Sequence, residues 1–273
     1  MMTEYRPDLA EQIRSAKEML PTMYDLPSED PEEPGVPDEF HTWQANLLRE
    51  TFRPPDYGPR QILTAGDLNL YYDLRQPGYY KRPDWFAVVS DTPLHGEKTE
   101  PRLSYVIWQE DVVPFVVAEF LSPGTEKEDL GKTLPRPGKP PTKWGVYEQI
   151  LGIPYYVIFS RHTGKFRAFR LAGGQYHEMV LPGKRLWMPE INMGIGLWKG
   201  TYEQSEREWL RCYDDQGNWI PTHSEQKLLA EQRAEQEARR AEQSLREKMQ
   251  AEQRAEQEAR RVEKLLAQIR ALG

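Results

Sequence analysis

Two acidic residues stand where this sequence is otherwise building apolar strands. Glu119 closes the run PFVVAEFL (residues 114–121), and Asp84 opens DWFAVV (84–89). Ionised side chains are rarely buried unless they are paired or bound to a metal, so each acid calls for a partner. Residues two apart along a strand share a face, which points Val117, Glu119 and Leu121 the same way. Two carboxylates at the ends of neighbouring strands can share a hard cation such as Mg²⁺, which takes oxygen ligands and keeps several waters. Such an ion would relieve the repulsion between the acids, polarise a phosphodiester and lower the pKa of a bound water. A nearby lysine would orient that water and stabilise charge growing on the phosphate. The plainer alternatives are a strand-starting turn for Asp84, a structural salt bridge for Glu119 and solvated surface charge for the lysines.

Other motifs carry less. GTEKEDLGKT ends like a phosphate-binding loop, but six residues separate Gly124 from Gly131 where that motif needs four, and three of the six are acidic. The five histidines (41, 95, 162, 177, 223) form no metal-binding pair by spacing, so a histidine metal site is not expected. Ser122 lacks the G-x-S-x-G surroundings of a nucleophile elbow. One cysteine, Cys212, leaves no intrachain disulfide and reads as a small semi-buried filler.

The elements that would position the acids follow from apolar spacing. FHTWQANLLRETF (40–52) carries Phe40, Trp43, Leu47 and Leu48 at helical spacing and predicts an amphipathic helix. Strands are predicted at 68–74, 84–89, 103–109 and 114–121. A short helix, KWGVYEQIL, follows with Thr142 as its cap. IPYYVIFS (153–160) and KFRAFRL (165–171) make a hairpin, and further short strands run through QYHEMVL and RLWMPEINMGIGLW. Strands around a helix that leads back into a buried strand indicate an α/β (α+β) fold, a sheet with flanking helices. Before this domain, assigned to 40–222, residues 1–39 combine a short helix (7–19) with an acidic, proline-rich arm.

From 223 the composition changes. AEQRAEQEARR occurs at 230–240 and again at 251–261, an offset of three heptads. Ala234, Ala238, Ala241, Leu245, Ala255, Ala259, Val262, Leu266 and Ile269 keep one seam in register, interrupted at Lys248 and Glu252. Two readings stand: a solvated single helix held by Glu–Arg pairs, or a coiled-coil-like tail that oligomerises or docks another protein.

Charge constrains the partners. The net charge is −7, and the residues before Ser224 hold 25 basic against 33 acidic side chains. That balance disfavours unaided, non-specific binding to nucleic acid, so such binding needs a local site. No run of about 18 apolar residues would span a membrane. The first twenty residues lack the pattern of a signal peptide, and a cytoplasmic protein is expected.

In order along the chain stand Pro83-Asp84, Glu119-Phe120-Leu121-Ser122-Pro123, Asp129, Lys143 with Tyr147, and Gly152-Ile153-Pro154-Tyr155-Tyr156-Val157-Ile158. Over roughly residues 40–200 this series resembles the restriction-endonuclease-like family found widely in bacterial genomes, within the PD-(D/E)XK nuclease superfamily. The superfamily's lysine ordinarily stands two residues after the glutamate; here that position is Leu121, and the family resembles a form in which the following helix supplies it. The resemblance implies a restriction-endonuclease-like core with a central mixed sheet flanked by helices. It implies Mg²⁺ (or Mn²⁺) held at Asp84, Glu119 and Phe120, with Lys143 acting on water and phosphate and Tyr147 supporting Lys143. The proline-rich stretch KTLPRPGKPPT makes Lys132 a rival to Lys143, and Glu50 is a further candidate acid. DNA is the implied substrate and a dimer the implied assembly. The alternatives are a non-catalytic scaffold using its tail for interaction, and a hydrolase of another phosphate ester.

Overall fold

In this computed structural model the described residues are 38–94, 101–121, 129–133 and 140–272. The helix expected over 7–19 and most of the acidic arm lie outside them. The chain divides into two compact units, Met1–Ile220 and Pro221–Gly273.

The first unit opens with α1 (Glu39–Thr51), within a residue of the expected helix at each end. Asp38 starts it: its carboxylate accepts from the backbone N–H of His41 at 3.1 Å, satisfying a donor the first turn leaves orphaned. Phe40, Leu47 and Leu48 are buried along one side. Twelve strands follow: β1 (Ile62–Ala65), β2 (Leu70–Tyr71), β3 (Tyr80–Lys81), β4 (Trp85–Val89), β5 (Tyr105–Val106), β6 (Val116–Phe120), β7 (Tyr155–Ser160), β8 (Lys165–Ala172), β9 (Gln175–Glu178), β10 (Arg185–Met188), β11 (Met193–Tyr202) and β12 (Ser205–Tyr213). Among the described residues, short helical pieces interrupt them: α2 (Ile107–Glu110), α3 (Lys143–Gly145), which runs into a π-helical turn, Val146–Ile150, and 3-10 turns at Pro182–Lys184 and Pro189–Ile191.

Six strands form the central sheet in the order β1-β4-β6-β7-β8-β9. β6 and β7 run parallel and every other neighbouring pair runs antiparallel, so the sheet is mixed, as expected. All five residues of β6 are buried, which a strand achieves only when both faces of its sheet are covered. Val116, Ala118 and Phe120 join one core with Phe40, Leu47 and Leu48 of α1 and with Leu186, Ile195 and Leu210 of a second sheet, β10-β11-β12. Val117 faces the other core, with Val146, Tyr147, Tyr156 and Phe169.

Two expected strands are shorter than their apolar runs. Of 68–74 only Leu70–Tyr71 pairs. The run 103–109 is not one strand: after Tyr105–Val106 it turns into α2 and ends at Asp111 in the left-handed region. Arg102 Nε bonds Glu110 at 2.9 Å and Tyr105 donates its hydroxyl to the Val112 carbonyl at 2.8 Å, folding the segment back on itself. Those side-chain bonds compete with strand pairing.

The second unit is α4 (His223–Leu272). Thr222 and Glu225 cap it reciprocally: Thr222 N–H donates to the Glu225 carboxylate at 2.7 Å and Glu225 N–H to the Thr222 hydroxyl at 3.3 Å. Arg239–Glu235, Arg246–Glu242 and Arg260–Glu256 pair one turn apart. From Lys227 on, every described side chain is exposed.

Gln44 joins α1 to the second sheet. It is fully buried; its Nε2 donates to the Leu210 carbonyl at 2.8 Å, and Leu210 N–H donates back to its Oε1 at 2.8 Å. β12 is the outer strand of its sheet, so this carboxamide takes the place of a missing neighbour. Gln44→Leu keeps the volume but orphans both backbone groups, and is expected to cost about 2 kcal/mol or more. Urea unfolding of the two proteins checks this; equal stability would mean that water or a shifted strand satisfies Leu210.

Candidate active site

The register of the central sheet brings the two acids together. β4 lies antiparallel to β6 with Trp85 opposite Ala118, which sets Asp84 level with Glu119. The acids hold each other's strand ends: Phe120 N–H donates to Asp84 Oδ2, and Asp84 N–H reaches Glu119 Oε2 at 3.4 Å. Part of the reason for both acids is therefore structural.

Glu119 is completely buried on the Val117 face. Tyr147 donates its hydroxyl to Oε1 at 2.9 Å, and Lys143 Nζ donates to Oε2 at 2.9 Å. Lys143 also stands 3.2 Å from Asp129 Oδ1. Local sequence explains the convergence. Thr142 caps the helix, its hydroxyl accepting from Gly145 N–H at 3.2 Å, and residues four apart on one helical face can both reach Glu119. The π turn widens the chain just beyond, as helical segments often do at functional sites. Asp129 is 1% exposed, with its carbonyl accepting from the Tyr156 hydroxyl at 2.9 Å. Gly131, at φ +68, lets that segment pass Trp144: a Cβ there would come within 2.7 Å of the indole.

The charges do not cancel. Burial would lower the pKa of Lys143, but Glu119, Asp129 and Asp84 outweigh it and hold the ammonium protonated well above the usual lysine range. Burial raises the pKa of Glu119; Lys143 opposes this, while Asp84 and Asp129 add to it, leaving the carboxyl well above the usual range. Three carboxyls thus surround one ammonium. An excess of buried negative charge is the setting in which a hard cation is favoured. Among the described residues, no three His, Cys, Asp or Glu side chains already converge on one point to hold a metal. The carboxylates of Asp84 and Glu119 and the Phe120 carbonyl are suitable oxygen donors, provided Glu119 releases one of its present donors and the Phe120 carbonyl, which faces His41 Nε2 at 3.0 Å, offers its second lone pair.

The other predicted residues fall apart from this cluster. Lys132 is exposed on its loop and contributes no bond to Glu119. Glu50 lies nine residues beyond His41 on α1, roughly 13 Å along the axis, and accepts from the Tyr202 hydroxyl at 3.0 Å.

The sequence reading missed His41. Its Nδ1 stands 2.8 Å from Asp38 Oδ1 and its Nε2 3.0 Å from the Phe120 carbonyl. Both partners only accept, so both ring nitrogens must donate and the imidazolium is favoured. Burial would lower the pKa of His41, but the bond to Asp38 and the charges of Asp84 and Asp38 outweigh it and raise it above 6.5. Burial would raise that of Asp38, yet the bonds and charge of His41, with Arg161, hold it well below the usual carboxylate range. The available signal was the D-x-x-H spacing at the helix start, a cap followed by a histidine in the first turn. Asp67 was missed too. Arg82 Nε binds it at 2.6 Å, and burial, opposed by Arg82 and reinforced by Asp84, raises its pKa.

Comparison with known proteins adds the following. A family model, Uma2, described as "Putative restriction endonuclease", matches residues 15–198. Among solved structures, a putative nuclease belonging to DUF820 from Anabaena variabilis is similar at 12% identity. The match covers 57% of this chain and 76% of that one, with a TM-score of 0.39. No curated protein matches.

The histidine supplies a pH-dependent test. Its folded pKa is raised, so its stabilisation is complete below the unfolded value of 6.5 and is lost as pH rises through the folded value. In chelator, from mildly acidic to mildly alkaline pH, the stability advantage of wild type over His41→Asn is expected to be largest at the acidic end and to shrink upward. A difference between the two urea midpoints that does not change with pH would sink the imidazolium assignment.

Proposed function

The chain belongs to the Uma2 family of putative restriction endonucleases, and on that footing we propose that it is a metal-dependent endonuclease hydrolysing phosphodiester bonds in DNA. The observation that carries the proposal is the pair of buried carboxyls, Glu119 and Asp129, on Lys143, with half-buried Asp84 bonded beside Glu119. Asp84, Glu119 and the Phe120 carbonyl would hold Mg²⁺ or Mn²⁺. Bound there, the ion would supply Lewis acidity and an acidified water. The remaining work belongs to side chains. Lys143, kept protonated by its acidic neighbours, donates hydrogen bonds to the attacking water and to a non-bridging phosphate oxygen. Tyr147 holds Glu119 from its other oxygen, so that a shift of Lys143 toward substrate does not leave that carboxylate bare. Asp129 gives the ammonium a second carboxylate anchor during the same shift.

A second reading rests on a specific observation. Both oxygens of Glu119 already have donors, which suits a closed structural cluster in a non-catalytic scaffold. Plasmid cleavage separates the readings. Wild type with Mg²⁺ is expected to nick or linearise plasmid, and Asp84→Ala, Glu119→Ala and Lys143→Ala to lose roughly a hundredfold or more. Lys132→Ala should stay near wild type. Metal should raise the melting temperature of wild type, through a linkage of about 2.7 kcal/mol at a hundred times Kd, and of Lys143→Ala, but less so that of Asp84→Ala. Intact plasmid together with identical melts in Mg²⁺ and chelator would favour the scaffold.

The assembly is proposed to be a dimer of the globular unit, since cutting both strands benefits from two sites, with the tail as a further weak contact. Alanine buries little, so contact through α4 should anchor at Val262, Leu266 and Ile269. No helix among the described residues is long and apolar enough to cross a membrane. Truncation before Ser224 is expected to leave the first unit folded and its dimer intact, while removing larger or elongated species in light scattering. A truncated protein that unfolds would show that the tail is no appendage.

A further inference from the structure

Beside the acidic cluster lies a patch of opposite sign. Arg161 follows Ser160 at the end of β7. Because β7 runs parallel to β6 with Phe159 opposite Phe120, Arg161 emerges at the same sheet edge as Glu119 and Phe120. Its guanidinium pairs with Asp38 and lies over the Phe40 ring, 5.2 Å from the centroid. Arg207 comes from β12, held against α1 by Gln44 and Leu210, and its guanidinium lies 4.7 Å from the same Phe40 centroid and 5.5 Å from that of Trp209. Two guanidinium groups therefore share one phenyl ring, with the His41 ring bonded to the same Asp38.

Around Asp38 the balance is positive: Arg161 and the His41 imidazolium both pair with it, and Arg207 lies beside Arg161 on the Phe40 ring. Arg161 uses that carboxylate. Arg207 forms no ion pair among the described residues, and its Nε is buried without a hydrogen-bond partner. The residue as a whole is only half-buried, and a guanidinium there with no carboxylate of its own carries a desolvation cost that an anion from outside the chain would offset at its exposed nitrogens. Burial and the neighbouring Arg161 lower the pKa of Arg207, with Asp38 opposing them. Stacked on aromatic rings, a guanidinium keeps its edge free for a planar fork of two hydrogen bonds, a geometry that matches phosphate oxygens.

A chain of bonds ties this patch to the carboxylates. Arg161 binds Asp38, Asp38 binds His41, His41 binds the Phe120 carbonyl, and Phe120 N–H binds Asp84. We propose that Arg207, seconded by Arg161, is the subsite for a backbone phosphate of the nucleic-acid strand other than the one at Lys143. This rests on the nuclease reading for its choice of phosphate over other anions. It also supplies what the acidic body lacks, a local cationic contact for a polyanion.

The test is binding, kept apart from cleavage. Full-length protein is titrated in chelator against a fluorescein-labelled DNA duplex at several KCl concentrations, following anisotropy. Arg207→Gln, which keeps the stem over Phe40, is expected to weaken binding severalfold and to lower the slope of log K against log [KCl] by about 1. Arg207→Lys should keep the slope, since the charge remains. Unchanged affinity and slope in Arg207→Gln overturn the subsite, and plasmid cleavage by wild type in Mg²⁺ would then leave the nuclease reading standing. Loss of binding in Arg207→Gln without any wild-type cleavage supports the subsite and removes the nuclease instead. Wild type that binds no duplex at any salt, or is competed only by an acidic peptide, overturns the subsite, and plasmid cleavage in Mg²⁺ then decides the nuclease reading separately. Should Arg207→Gln lose its circular dichroism, Arg161→Gln in the same titration decides.

Discussion

Glu119 sits in the middle strand of a sheet covered on both faces, and a carboxyl group there must be compensated from within the protein. A buried charge without partners costs several kcal/mol even after relaxation, which is a large part of the stability of a domain. The surroundings answer that cost piece by piece. Tyr147 satisfies one oxygen and Lys143 the other, and both arrive on one helical face because Thr142 starts that helix at the right residue. Lys143 then needs more negative charge than Glu119 alone provides, and Asp129 supplies it. Asp129 in turn depends on Gly131 passing close to Trp144 and on the hydroxyl of Tyr156. The aromatic packing of Trp144, Tyr147, Tyr156, Phe169 and Tyr176 is the wall that keeps water from these bonds.

How much of this a sequence reveals depends on how local each cause is. An acid ending an apolar run is a local anomaly, so Glu119 and Asp84 stand out, as does a Thr-capped helix carrying Lys143 and Tyr147. The mixed character of the sheet comes only from the family resemblance, whereas a sheet with flanking helices follows from the same runs. β12 does not, because SEREWLRCY carries Arg207 and Arg211 where a half-buried strand should alternate cleanly. Those charges are absorbed by tertiary contacts: Arg211 lies 4.4 Å from the Trp198 centroid and donates to the Ile220 carbonyl at 3.1 and 2.9 Å. His41 was invisible for a similar reason. Its second partner is a carbonyl 79 residues away, and a backbone carbonyl leaves no mark in residue type. The run 103–109 misled in the opposite direction, since the bonds of Arg102 and Tyr105 decide its shape and apolar periodicity does not.

The site also organises charge across the sheet edge. Asp84, Glu119 and Asp129 form a negative cluster on the side of β6 that carries Lys143. Arg161, Arg207 and His41 form a positive group on the side of α1. The Phe120 peptide stands between them, its N–H bound to Asp84 and its carbonyl to His41. The two peptide units that flank Phe120 are thus each fixed by a side chain, one by a carboxylate and the other by an imidazole. Strain or motion at Phe120 is opposed from two independent elements, β4 and α1, and a carbonyl held in this way has a defined direction before any ligand arrives.

Stability alone does not account for such a cluster. Replacing a buried ion network by apolar residues of similar volume is often neutral or stabilising by a few kcal/mol, whereas removing one member leaves an uncompensated charge. A sheet centre built only to fold would therefore be served better by a leucine at 119 facing a methionine at 143. The same reasoning separates Glu119 from Gln44, whose two bonds to Leu210 satisfy backbone groups that any fold with this edge must satisfy. Gln44 answers a need created by the architecture. Glu119 creates a need that Lys143, Tyr147 and Asp129 then answer, and the answer leaves three carboxyls around one ammonium, a balance in which a hard cation is favoured.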